Sequence, residues 1–144
     1  MPDRKNCIKS IARLLEDFTA WIRTQPDVQA AALVGSYARN AATELSDVDL
    51  IALTTEVEKY FQSPQWASTF GEIEKYDVEN WGKLEAMRVF YKGAVEVEYG
   101  FSTPDWAAAP VDEGTRRVVI DGMKIPFDPQ GALERLQEMV VATR

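Results

Sequence analysis

Val34–Leu53 reads VGSYARNAATELSDVDLIAL. Just upstream, Val28–Val34 (VQAAALV) is a short, almost wholly apolar run that stops at Gly35-Ser36, as a buried strand does. At the far end, Asp47–Leu53 (DVDLIAL) alternates in its first half and is continuously apolar in its second, which predicts another strand. Between the two strands, Tyr37–Ala42 has the length of a short helix. A glycine where a strand turns into a helix lets the backbone approach a ligand closely. The Ser36 hydroxyl and the exposed amides of a helix start make an anion site suited to phosphate. Asp47 follows Gly35 by twelve residues, and Asp49 comes two later. Residues two apart on a strand share a face, so both carboxylates project together while Val48 and Leu50 project oppositely. Like charges side by side repel unless a cation lies between them. A hard oxygen pair of this kind suits Mg²⁺.

A third acid would hold a second ion or remove a proton from an acceptor. Ala94–Phe101 (AVEVEYGF) supplies candidates. Its alternation places Val95, Val97 and Tyr99 on one side of a strand and Glu96 and Glu98 on the other. Exposed faces of antiparallel strands carry Glu routinely. Alternation alone does not decide which Glu reaches the first pair.

Moving outward, residues 4–24 predict an amphipathic helix, with Ile8, Ile11, Leu14, Leu15, Phe18, Trp21 and Ile22 at helical spacing. Glu56–Phe70 predicts a helix broken or restarted at Pro64. Ile73–Trp81, Leu84–Tyr91 and Ala94–Phe101 read as strands, the last two joined as a hairpin at Lys92-Gly93. Thr103-Pro104-Asp105-Trp106 has the form of a helix start. Val118–Ile120 and Lys124–Pro126 read as strands around an Asp121-Gly122 turn. A final helix is expected from Asp128 to Val141. The sum is one α/β (α+β) domain over residues 1–144, a mixed β-sheet flanked by helices.

Composition narrows the chemistry. The chain has no histidine, which removes a Ser-His-Asp triad and any His-based zinc site. Its net charge of −7 argues against nucleic acid as a partner. A nucleotide would have its charge neutralised locally, by metal ions. No apolar run reaches the roughly 18 residues that a membrane span needs. The opening MPDRKNCIKS has no secretory character. The single cysteine, Cys7, forms no internal disulfide and fits a reducing cytoplasm.

Gly35-Ser36, a short helix, and then Ser46-Asp47-x-Asp49 on the next strand, with a later acid, resemble the signature of the DNA polymerase beta-like nucleotidyltransferase superfamily. Ala38-Arg39 resembles its small bacterial members, the aminoglycoside and lincosamide nucleotidyltransferases. Asn40 departs from the glycine common there, at a position where Asn tolerates unusual backbone angles. The resemblance implies the nucleotidyltransferase fold. It also implies metal-dependent transfer of a nucleoside monophosphate from an NTP, ATP first, to a small hydroxyl-bearing acceptor. Two Mg²⁺ ions would lie at Asp47, Asp49 and a third acid, and the position of that acid in relatives favours Glu96 over Glu98. Gly35 and Ser36 would hold phosphates. Arg39 either grips a phosphate as well or is a solvated helix residue.

Two other outcomes stay open: a minimal nucleotidyltransferase acting on or paired with a partner protein, as in toxin–antitoxin systems, and an inactive nucleotide-binding module. The acceptor site would be built by the strand cluster, by a second copy in a homodimer, or by a helical partner. Lys83, Arg88 and Lys92 are either surface charge or contacts to triphosphate. Trp66, Trp81, Phe90, Tyr91 and Trp106 are either core or a platform for a base.

Overall fold

The computed structural model describes residues 4–35, 37–38, 47–81, 83–93, 95–108 and 110–142. Helix α1 (Arg4–Arg23) buries Ile11, Leu14, Phe18 and Ile22, a stripe at three- and four-residue spacing. Six strands follow: β1 (Val28–Val34), β2 (Val48–Thr54), β3 (Ile73–Trp81), β4 (Leu84–Tyr91), β5 (Val95–Ser102) and β6 (Met123–Phe127). They form one sheet in the order β3-β4-β5-β2-β1-β6. β2 and β5 run parallel, and every other neighbouring pair is antiparallel. The expected mixed sheet flanked by helices is therefore present.

Each face of the sheet has its own core. On one face, Val48, Leu50 and Ala52 of β2 and Val97, Tyr99 and Phe101 of β5 pack with α1. Aromatics fill that layer: Tyr60 stacks on Phe101 at 4.5 Å, and Trp21 on Trp66 at 5.2 Å. On the other face, Ala30, Ala32, Ile51 and Leu53 meet Trp106 and the helices α2 (Glu113–Asp121) and α3 (Ala132–Ala142).

Three expected elements differ. The helix expected over 56–70 does restart at Pro64, but its two parts, Val57–Phe61 and Pro64–Phe70, are 3₁₀ rather than α, and the Ser63 side chain between them accepts from the Gln65 amide. Val118–Ile120, expected as a strand, is the second half of α2. Its β-branched residues favour strands, but capping and burial win. Asp112 accepts from the Thr115 amide at 3.3 Å, Thr115 and Val119 face the core four residues apart, and Gly122 ends the helix at φ 130°. The last helix starts at Ala132 rather than Asp128, after Gly131 takes φ 72°; Asp128 lies outside it and accepts from the Glu134 amide at 3.0 Å. The short helix expected over 37–42 falls mostly outside the described residues.

Candidate active site

Asp47 lies one residue before β2, and Asp49 lies within it. Leu50 and Val48 point into the α1 core, so Asp49 points to the α2 face, as the alternation requires. Parallel pairing sets Asp49 directly beside Glu98 of β5. Adjacent strands lie about 4.8 Å apart, which brings carboxylates on this register close. One oxygen from each of Asp47, Asp49 and Glu98 lies within 4.8 Å of the others. All three are half-buried. Burial pushes the Asp49 carboxyl up to about 7, reinforced by the charges of Asp47 and Glu98 and a hydrogen bond with Glu98, and opposed by Arg88.

Glu96 is engaged differently. Arg88 of β4 donates to Glu96 Oε1 at 2.7 Å and to Glu98 Oε2 at 3.2 Å. Its guanidinium also lies 3.5 Å from Asp47 Oδ2 and 3.3 Å from Glu79 Oε1. These acids, led by the hydrogen bond to Glu96, drive the Arg88 pKa further up. Register explains the grouping, because Arg88 pairs opposite Glu98 on β5 and opposite Asp77 on β3, one same-face step from Glu79. The structure thus joins Glu98 to Asp47 and Asp49 and gives Glu96 its closest ionic contact with Arg88.

Gly35 closes the site from the other side. It ends β1, next to the Val34–Asp49 pair, and has φ 76°. A Cβ there would overlap Asp49 Oδ2. Only glycine combines this backbone angle with so close an approach. The Ala38 amide donates back to the Gly35 carbonyl at 3.1 Å, turning the chain at this point. Ser36 and Arg39, named above as phosphate contacts, lie outside the described residues, as do Asn40 and Ser46.

A pocket of about 430 Å³ opens beside Asp49 and Glu98, between the sheet and α2. Lys83, Trp106, Asp112, Thr115 and Val118 line it. Lys83 and Trp106 are legible in the sequence only as a surface charge and an aromatic, and the contribution of α2 is hidden there because Val118–Ile120 has the composition of a strand. Trp66 and Tyr91 belong to the α1-side core, and Lys92 pairs with Glu72 at 2.8 Å on the surface.

The donor set fits a divalent metal. It is carboxylate oxygen throughout, which suits a hard cation such as Mg²⁺. Its mutual repulsion, visible at Asp49, is the feature that a cation relieves.

The family model described as polymerase beta, nucleotidyltransferase, matches residues 16–93, more than half of the 144-residue chain. No protein of curated function matches the sequence. Among solved structures, an aminoglycoside 6-adenyltransferase from Bacillus subtilis is similar at 14% identity and TM-score 0.52, over 65% of this chain and 35% of that one. The chain therefore spans about a third of that enzyme. A toxin–antitoxin structure with AMP-PNP is similar at 15% identity and TM-score 0.45, over 94% of this chain and 84% of that one. Cid1 in complex with the UTP analogue UMPNPP gives 14% identity and TM-score 0.48, over 80% and 40%.

Proposed function

This chain belongs to the polymerase beta nucleotidyltransferase family, and we propose that it transfers a nucleoside monophosphate from an NTP to a hydroxyl of a small acceptor. The observation that carries this reading is the convergence of Asp47, Asp49 and Glu98 beside the Gly35 bend. Those three carboxylates would hold Mg²⁺. Bound there, such ions would neutralise the charge that develops during phosphoryl transfer. Glu98 takes the place that the resemblance gave to Glu96, because Glu98 shares the register of Asp49.

The chain's own residues do the rest. Gly35, with Ser36 and Arg39 beyond it, holds the phosphates of the donor, ATP in the first instance. The acceptor oxygen forms a bond to the α-phosphorus, and the bond from that phosphorus to the bridging oxygen breaks. Pyrophosphate leaves with the electron pair. The hydroxyl proton passes to the Glu98 carboxylate, which lines the pocket. Positioning and charge neutralisation supply most of the rate in such transfers. The pocket supports a small acceptor over a partner protein. Among the described residues no helix is long and apolar enough to cross a membrane.

Thermal unfolding with Mg²⁺ and a non-hydrolysable ATP analogue tests the reading. The pair should raise the midpoint of the wild type together and neither should do so fully alone. Asp47→Asn and Asp49→Asn should abolish the joint shift. An undiminished shift in both variants contradicts the proposal. Radiolabelled ATP with a panel of hydroxyl compounds then identifies transfer.

A further inference from the structure

The sheet ends in β3 on one side and β6 on the other, and the two edges are built differently. β6 is five residues long and carries Pro126, which has no N–H to offer a further strand. β3 is nine residues long and contains neither proline nor glycine. Among the described residues it pairs with β4 alone. A bulge separates Ile73 from Lys75, and from Lys75 to Trp81 the pairing with β4 is regular. In an antiparallel strand every second residue points its N–H and C=O away from the neighbouring strand, so this stretch presents donors and acceptors outward.

Its side chains extend a core. Tyr76 lies opposite Val89 and Val78 opposite Met87, and both β4 residues are fully buried in the α1-side layer. Tyr76 and Val78 are nevertheless 45% and 55% exposed. The apolar face thus runs out to the edge, with nothing beyond it among the described residues. The opposite face of β3 carries Lys75, Asp77 and Glu79. Lys75 Nζ lies 4.6 Å from the centre of the Phe90 ring. Glu79 gives one oxygen to Arg88 at 3.3 Å, and its other oxygen accepts no hydrogen bond among the described residues.

We propose that β3 pairs antiparallel with β3 of a second copy of this chain, about a two-fold axis at Asp77. That register sets Tyr76 of each copy opposite Val78 of the other, an aromatic against a β-branched side chain, and sets Lys75 opposite Glu79. The two-fold axis makes each of these pairs occur twice. Neighbouring registers fit less well. An axis at Tyr76 puts Val78 opposite Glu74, in the bulge, and an axis at Val78 puts Asp77 opposite Glu79. The axis at Asp77 has one unfavourable contact, Asp77 facing its own copy, and that contact makes the register testable. The proposal does not depend on nucleotidyl transfer.

Sedimentation equilibrium of the full chain tests it, at physiological ionic strength and from micromolar to near-millimolar concentration. The wild type should pass from monomer to dimer across that range. Val78→Arg should stay monomeric, with circular dichroism checking its fold, and Tyr76→Arg is the second variant should the first not fold. Val141→Arg, at an exposed apolar residue of α3, should leave the equilibrium unchanged. Asp77→Asn removes the like-charge contact and should tighten the dimer about two- to fivefold. A wild type that is monomeric at every concentration overturns the proposal and leaves the edge to a strand of another protein. A dimer that survives Val78→Arg and is broken by Val141→Arg overturns it too, because the interface then lies elsewhere. Unchanged association of Asp77→Asn contradicts the axis at Asp77, and weaker association contradicts it by placing Asp77 against Lys75.

Discussion

Arg88 stands among Asp47, Glu79, Glu96 and Glu98 and contacts two of the three carboxylates assigned to the metal. A fixed cation so near the ligands partly satisfies them and competes with a divalent ion. Arg88→Met should therefore lower the stability of the metal-free protein yet tighten Mg²⁺ binding. Roughly tenfold, about 1.4 kcal/mol, is a modest share of what a charge about 4 Å away exerts at intermediate dielectric. Calorimetric titration reads the affinity, and weaker binding in the variant would show that Arg88 supports the ligands instead of competing for them. Asp49 gives a pH signature. Its carboxyl lies at about 7 in the fold against an ordinary value of 3.8, so between those values the folded state binds more protons than the unfolded state. Stability from this group is greatest at low pH and falls as pH rises from about 4 to about 7. Unfolding midpoints in EDTA should show that fall, Asp49→Asn should flatten it, and Mg²⁺ should oppose it. The difference between Glu96 and Glu98 also belongs to this scale. Both lie on the correct face, and strand alternation made that legible. Which one meets Asp49 depends on the offset between β2 and β5, forty-nine residues apart along the chain at Asp49 and Glu98, and nothing local records that offset.

At the level of elements, the start of β1 and the end of β2 are tied together by a polar knot. Asp27, in the turn before β1, accepts from Thr54 at the end of β2, from Tyr60 at 2.6 Å and from Lys59 at 2.7 Å. Burial raises the Asp27 carboxyl, but these donors outweigh it and hold it at about 2. The sign is opposite to that of Asp49: the contribution is present above pH 4 and is lost as pH falls towards 2. Asp27→Asn keeps the shape but loses the charge-assisted bonds, and should cost about 1–3 kcal/mol in urea denaturation at neutral pH, with little change at pH 2. An equal loss at both pH values would show that geometry rather than charge carries the contribution. Elements with strong periodicity or punctuation were legible: α1, β1, β2 and the β4–β5 hairpin all follow the expected pattern. The failure at α2 is instructive. Arg116–Ile120 carries three β-branched residues before Asp121-Gly122, a pattern that reads locally as strand and turn. The cap at Asp112 and the space over the sheet reverse that local preference.

Over the whole molecule, the net charge of −7 argues against a basic nucleic-acid face, and the absence of histidine excludes a Ser-His-Asp triad. The fold gives that charge a focus, because β5 and β2 lie at the middle of a six-stranded sheet and bring separate acids onto one face. The same arrangement makes the site testable as a unit. Manganese(II) titration followed by electron paramagnetic resonance, on the wild type, Glu98→Gln and Glu96→Gln, separates the two acids without requiring an acceptor. Glu98→Gln should lose most of the binding seen in the wild type, and Glu96→Gln should keep most of it. Loss in Glu96→Gln with retention in Glu98→Gln would contradict the site described here.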